Sequence, residues 1–213
     1  MLEVRELCKT YHGYQALLPV SFQLAPGECL GVSGVNGSGK STLLRLLAQA
    51  QRPDSGSMLF QGKNVLGDRL FLREHVGYVP QGNDLAEELT VRQQIGLWQA
   101  ACGCRTAFPP ELTDLLGLEQ MFPRRIGELS GGMQRRVSIA MALSTEPDIL
   151  IMDEVTTGLD ERYCSALLTW IENFLKNGGR AVWCSHRKEE LERICDRCLH
   201  VREGRVHWGF FEK

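Results

Sequence analysis

Nine residues, Gly34-Val35-Asn36-Gly37-Ser38-Gly39-Lys40-Ser41-Thr42, constrain this chain more than any other stretch. They follow an apolar run, Cys29-Leu30-Gly31-Val32-Ser33, and open a helical pattern carried by Leu43, Leu44, Leu46 and Leu47. Strand, glycine-rich turn and helix form the context in which G-x-x-x-x-G-K-[ST] cradles phosphate. Gly34, Gly37 and Gly39 let the backbone curl, with Asn36 and Ser38 between them. Successive N–H groups then face phosphate oxygens above the positive end of the helix. In that arrangement Lys40 reaches the β- and γ-phosphates, the Ser41 hydroxyl holds Mg2+, and Thr42 completes the stretch. A plain glycine-rich turn before an ordinary helix is the bland alternative; Lys40-Ser41 standing in register behind a strand argues against it.

The rest of the chain fits a frame around that loop. At 213 residues it is one domain, or one domain with an inserted lobe. Lys and Arg total 24 against 26 Asp and Glu, so no global field favours nucleic acid or an anionic membrane surface. Apolar runs such as 149–152 fall far short of the roughly 18 residues a spanning helix needs. The opening Met1-Leu2-Glu3-Val4-Arg5-Glu6 alternates charged and apolar residues, unlike a secretory leader, so a cytoplasmic location is expected. The 8 cysteines are scattered, and reduced thiols are the expectation in that compartment. Cys195-Asp196-Arg197-Cys198 is a lone C-x-x-C without the second pair or histidine spacing of a zinc site. It spans a helix end and a strand start, which predicts thiols pointing in different directions.

Alternation and turn residues predict strands over 2–5, 20–24, 57–60 and 75–79, with helices from 41 to 50 and from 90. A further helix is expected over 111–118, behind Pro109-Pro110. Next come a helix over 130–143, the buried strand 149–152, a helix over 162–176 and the strand 181–184. A charged helix running to Arg197 and two strands, 199–201 and 206–208, complete the pattern. Strands alternating with helices imply an α/β fold: a mostly parallel sheet with the ligand at the strands' carboxyl ends, and an antiparallel β part at the N-terminus. Residues 83–143, where β-branched residues thin out, read as a helical lobe inserted into a core of 1–82 and 144–213.

Two further stretches carry chemistry. Ile149-Leu150-Ile151-Met152-Asp153-Glu154 is an apolar strand ending in two carboxylates. Beside a phosphate loop, Asp153 can orient Mg2+ through water, and Glu154, one residue nearer the γ-phosphate, can polarise an attacking water. Leu129-Ser130-Gly131-Gly132-Met133 opens a helix, with Ser130 a natural N-cap and two glycines that let amides approach an anion. The chain thus has two helix N-termini suited to phosphate. They are hard to unite within one subunit and easy to unite across two copies arranged head to tail.

On these residues the chain resembles the nucleotide-binding subunit of ABC transporters over essentially its whole length, with the P-loop NTPase core that family implies. The resemblance assigns Tyr11 to adenine stacking, 34–42 to the Walker A loop and Gln81 to sensing of Mg2+ and γ-phosphate. It assigns 129–133 to the family signature, with Ser130, Gly131 and Gly132 facing a partner's nucleotide. Asp153 and Glu154 match Walker B and its catalytic glutamate, Asp160 the aspartate that communicates across the dimer, and His186 the switch histidine. It implies ATP and Mg2+, the latter on Ser41, Gln81 and Asp153, with Lys40, Gln81, Glu154 and His186 catalytic. It also implies a second copy or a homologous cassette, and a separate transmembrane permease that holds the chain at the inner face of the membrane. Small single-cassette exporters are the nearest type. The permease's docking surface is expected near Gln81, with Leu85, Leu89 and Trp98.

Taken singly, Tyr11 could pack on Tyr14 or Phe22, and His186 could be a surface histidine. Arg124-Arg125 and Arg135-Arg136 read as solvated faces or partners of acids rather than a nucleic-acid patch. Departures from the family pattern are Met133 for glutamine, Met141 for arginine, Val155 for proline and Arg187 for an acid; Val155 is expected to loosen its turn. Two other functions stay open: a soluble ABC ATPase acting on ribosomes or DNA, and an ATP-binding regulator without turnover. The short C-terminus is expected to exclude an appended regulatory domain.

Overall fold

The computed structural model describes residues 1–104 and 107–210. Two sheets share the chain. β1 (Leu2–Tyr11), β2 (Tyr14–Leu24), β4 (Ser55–Phe60) and β5 (Lys63–Asn64) form an antiparallel sheet in the order β2-β1-β4-β5. The second sheet uses β3 (Cys29–Ser33), β6 (Val76–Val79), β7 (Ile149–Asp153), β8 (Arg180–Cys184), β9 (Arg197–Arg202) and β10 (Arg205–Phe210). Its order is β10-β9-β3-β8-β7-β6, parallel throughout except for the edge strand β10.

A parallel sheet is covered on both faces, so its strands read as unbroken apolar runs. β7 and β8 are buried at every residue. Side chains alternate across the sheet and feed two cores. Leu150, Met152, Ala181 and Trp183 pack with α6 (Glu161–Lys176) through Leu167 and Ile171, and with α7 (Lys188–Ile194) through Leu191. Ile149, Ile151 and Val182 pack instead with α1 (Lys40–Leu47) and the antiparallel sheet. Burying a side chain of this size contributes about 1.5–3 kcal/mol.

Between β6 and β7 the described chain is helical: α3 (Val91–Ala101), α4 (Pro110–Leu116), two short 3-10 turns and α5 (Gly131–Leu143). Thr90 caps α3 in a reciprocal box with Gln93, and Gly117 ends α4 in the left-handed conformation. No helix among the described residues is long and apolar enough to cross a membrane.

Three local expectations are corrected. A helix, α2 (Arg69–His75), precedes β6 and takes His75 from the expected strand; the Asp68 carboxylate caps it by accepting from Leu70 N and Phe71 N. α7 stops at Ile194 rather than Arg197, because Asp196 N donates to Cys29 O and draws the chain into the sheet. The Cys195 and Cys198 thiols do not diverge: a Cβ built on Gly31 would lie 3.3 Å from both sulfurs.

Candidate functional site

The register of the parallel sheet sets the site. Val79, Met152 and Trp183 stand on one rung across β6, β7 and β8. Gln81 and Glu154 each lie two residues beyond that rung, and His186 lies three beyond it. Gln81 Nε2 donates to Glu154 Oε2 at 3.2 Å, and His186 Nε2 lies 2.7 Å from Glu154 Oε1. Glu154 is 9% exposed and adopts φ 50, a left-handed backbone costly for a residue with a Cβ. Its own amide is held by Cys184 O, and Thr157 N donates to its carbonyl.

Facing this trio is the phosphate loop. Asn36, Gly37, Gly39, Lys40, Ser41 and Thr42 line a recess of about 360 Å³ with Ala16, Gln81 and Glu154. Gly39 precedes α1 at φ 113, and a Cβ there would lie 2.4 Å from the Ala16 carbonyl oxygen, so only glycine fits. Lys40 is buried, and its Nζ donates to Gly34 O at 2.9 Å and to Val35 O at 3.0 Å, drawing the loop into a ring. Ser38 is buried beside Gly34.

Asp153 is buried beside Ser41 and Cys184, outside the residues that line the recess. Burial raises its carboxyl above the usual range, while the Ser41 hydroxyl and Cys184 thiol beside it act in the opposite direction. Burial, reinforced by Asp153, pushes the Cys184 thiol strongly up, so it stays protonated. Asp153 Oδ1 is buried without a hydrogen-bond partner among the described residues. An orphaned carboxylate oxygen next to a serine hydroxyl suits a hard, oxygen-seeking cation, and Mg2+ fits this donor set.

The second phosphate-suited turn is elsewhere. Ser130 caps α5 by accepting from Met133 N at 3.3 Å. Ser130, Gly132, Met133, Arg136 and Asp160 line a separate recess with Gly158, Leu159 and Tyr163. Gly132 is obligatory there, since a Cβ would meet the Gly158 carbonyl oxygen at 2.4 Å. Gly131, the first residue of α5, is exposed and has open space around its Cα. The two recesses share no lining residue. Tyr11 does not line the phosphate-loop recess; its hydroxyl donates to Gln51 Oε1 at 2.5 Å.

One arginine reverses its expected role. Arg135 is 2% exposed, not solvated. Its Nε donates to Val155 O at 3.1 Å, Nη2 to Asp153 O at 2.7 Å, and Nη1 to Pro80 O and to Gln81 O, the last at 3.3 Å. Burial lowers its pKa, against the pull of Asp153 and Glu154. A bond from a charged donor contributes about 1.5–3 kcal/mol, so four carbonyls can offset much of the desolvation. The Val155 turn is therefore held rather than loosened. Asn83 and Glu190 also escape the sequence reading. Asn83 Nδ2 donates to Gly131 O at 3.3 Å. Glu190 is buried and accepts from Ser185 Oγ at 2.8 Å and Thr156 Oγ1 at 3.0 Å, fixing the base of the His186 turn. An acid one helical turn after His186 is a faint signal for Glu190; an Arg-Arg pair carries none for Arg135.

Residues 17–157 match the model of a family described as ABC transporter. The chain is similar to "Nod factor export ATP-binding protein I" of Paraburkholderia xenovorans, 37% identical over 209 residues covering 96% of this chain and 68% of that protein. The protein of the same name from Rhizobium etli is 35% identical over 216 residues, covering 97% and 68%. Among solved structures, an ATP binding subunit of an ABC transporter superposes with a TM-score of 0.90 at 30% identity, covering 99% of this chain and 90% of the other. A dimeric bacterial ABC transporter cassette superposes at 0.88 with 25% identity, each chain covered in full.

Proposed function

The chain belongs to the ABC transporter family, and from that premise we propose that it closes head to tail with a second copy, or a homologous cassette, over two Mg-ATP. It is an ATPase of that family. In the proposed cycle each ATP is held by one subunit's Lys40 loop and by the other subunit's Ser130 turn, with Asp160 beside it. Glu154, steadied by Gln81 and His186, orients water in line with the γ-phosphate and takes its proton. Ser41, Gln81 and Asp153 would hold Mg2+, which when bound neutralises charge developing on the phosphate oxygens. The loop amides and Lys40 bind and orient the triphosphate, and positioning supplies most of the acceleration. Tyr11 is assigned to the adenine face. A core of 1–82 and 144–213 with a helical lobe over 83–143 belongs to the same reading.

One observation carries this proposal: two phosphate-suited helix N-termini lie in recesses with no residue in common. In the proposed dimer each completes the other across two chains. The solved dimeric cassette supports the pairing. Lys40→Met removes one half of each composite site and Ser130→Arg the other. Mixed in equal amounts, two inactive variants should regain up to about a quarter of wild-type turnover, the statistical share of sites rebuilt in mixed dimers. Phosphate release no greater than in either variant alone, with mixed dimers detected by native mass spectrometry, would refute the composite site.

The work is delivered to a separate membrane-spanning subunit, in the export direction that relatives named for Nod factor export support. Its dock is a groove of about 550 Å³ lined by Leu70, Leu72, Tyr78 and Trp98 together with Arg69 and Arg73. Of the residues the sequence suggests, Trp98 lines this groove and Gln81, Leu85 and Leu89 do not; the 53% exposed Leu70 does. Leu70→Asp should move most of the chain from the membrane pellet of its own cells to the supernatant, while ATP affinity stays within about threefold. Unchanged pelleting would place the dock elsewhere.

A further inference from the structure

We propose that Arg135 is a positioning residue of the ATPase reaction: its guanidinium fixes the backbone at Gln81, Asp153 and Val155 to the Ser130 helix. The inference rests on the roles given above to Gln81, Asp153 and Glu154, and adds a group that touches neither nucleotide nor water.

Arg135 lies on α5 five residues after the Ser130 cap, on the buried side of the helix. Its donors reach carbonyls of two other segments, 80–81 after β6 and 153–155 at the end of β7. Those two segments carry Gln81 and Asp153, two of the three candidate metal-holding side chains, and also Glu154. Holding the Gln81 carbonyl from behind leaves its side chain directed at Glu154 Oε2. Asn83 adds a second tie between the same loop and the first turn of α5. Arginine suits this task because its planar fork spans acceptors on separate segments, whereas the single nitrogen of lysine cannot keep all of them. A displacement of the Ser130 turn is thereby passed to the residues that hold metal and water. Among the described residues, the bonds from Arg135 go to these two segments and none to the phosphate loop.

That asymmetry gives the test, run on the full-length chain with Arg135→Gln and Arg135→Lys. Affinity for a fluorescent ATP analogue in EDTA reports nucleotide binding without the metal-holding edge. The gain in affinity when Mg2+ replaces EDTA reports the metal-holding edge. We expect EDTA affinity within about threefold of wild type, and a Mg2+ gain reduced at least about fivefold in the glutamine variant. Its kcat should fall at least about tenfold with KM changed by less than about threefold, and lysine should recover part of the loss. A variant that melts like wild type and keeps both its Mg2+ gain and its kcat overturns the inference. Loss of EDTA binding in both variants overturns it as well, because Arg135 would then support the fold in general. Glu154→Gln assayed alongside separates the two levels. If that variant hydrolyses ATP normally, the reading of the site fails; if it is inert while Arg135 variants behave as wild type, only this inference fails.

Discussion

Glu154→Gln should bind ATP and accumulate as an ATP-held dimer while hydrolysing about a thousandfold more slowly than wild type. The expectation comes from what the substitution keeps. The amide preserves size and can still accept from Gln81 through its oxygen, so the 3.2 Å contact and the left-handed backbone at φ 50 survive. What it loses is the ability to take a proton from water, a step for which a positioned base supplies about 10²–10⁴. Phosphate release gives the rate, and size-exclusion chromatography with ATP gives the dimer. Wild-type-like turnover would remove Glu154 from the role of base.

Gly39→Ala is expected to cost nucleotide binding at least about a hundredfold and to lower the melting temperature, because the new methyl meets backbone on a residue with no relaxed alternative. The Ala16 carbonyl oxygen would lie 2.4 Å from that methyl, and φ 113 is outside the range of residues with a Cβ. Relief requires either β2 or the start of α1 to move, and both line the recess through Ala16 and Lys40. Gly37→Ala is the control: its φ is 76, but nothing lies within 4 Å of the added methyl, so it should lose distinctly less. Titration with a fluorescent ATP analogue and a thermal melt separate the two. Equal losses would mean that backbone conformation, not the Ala16 contact, sets the requirement.

Much of this was legible in the residue order because the informative signals are local. A strand, a glycine turn and a helix lie within nineteen consecutive residues, 29–47, and β3 and α1 form where the pattern puts them. The four-aliphatic run before Asp153 becomes a fully buried strand, and Ser130 caps its helix as its position suggests. What escaped depends on partners remote in sequence. α2 buries only Phe71, so it has no apolar period to detect and relies on the Asp68 cap. Arg135 finds its carbonyls 18 to 55 residues away, and side by side with Arg136 it looks like any solvated pair. The early end of α7 is decided by Cys29, 167 residues earlier than Asp196. Periodicity carries no information about such meetings.

The Gln81, Glu154 and His186 trio comes from three neighbouring strands, with Gln81 after β6 and His186 after β8 flanking Glu154 after β7. Its tolerances are therefore inherited from the main-chain ladder, which spaces adjacent strands at about 4.8 Å whatever side chains cover them. A groove with no residue of the Ser130 helix in its lining, such as the one around Leu70 and Trp98, can therefore be recast without disturbing that spacing, which the strands set among themselves.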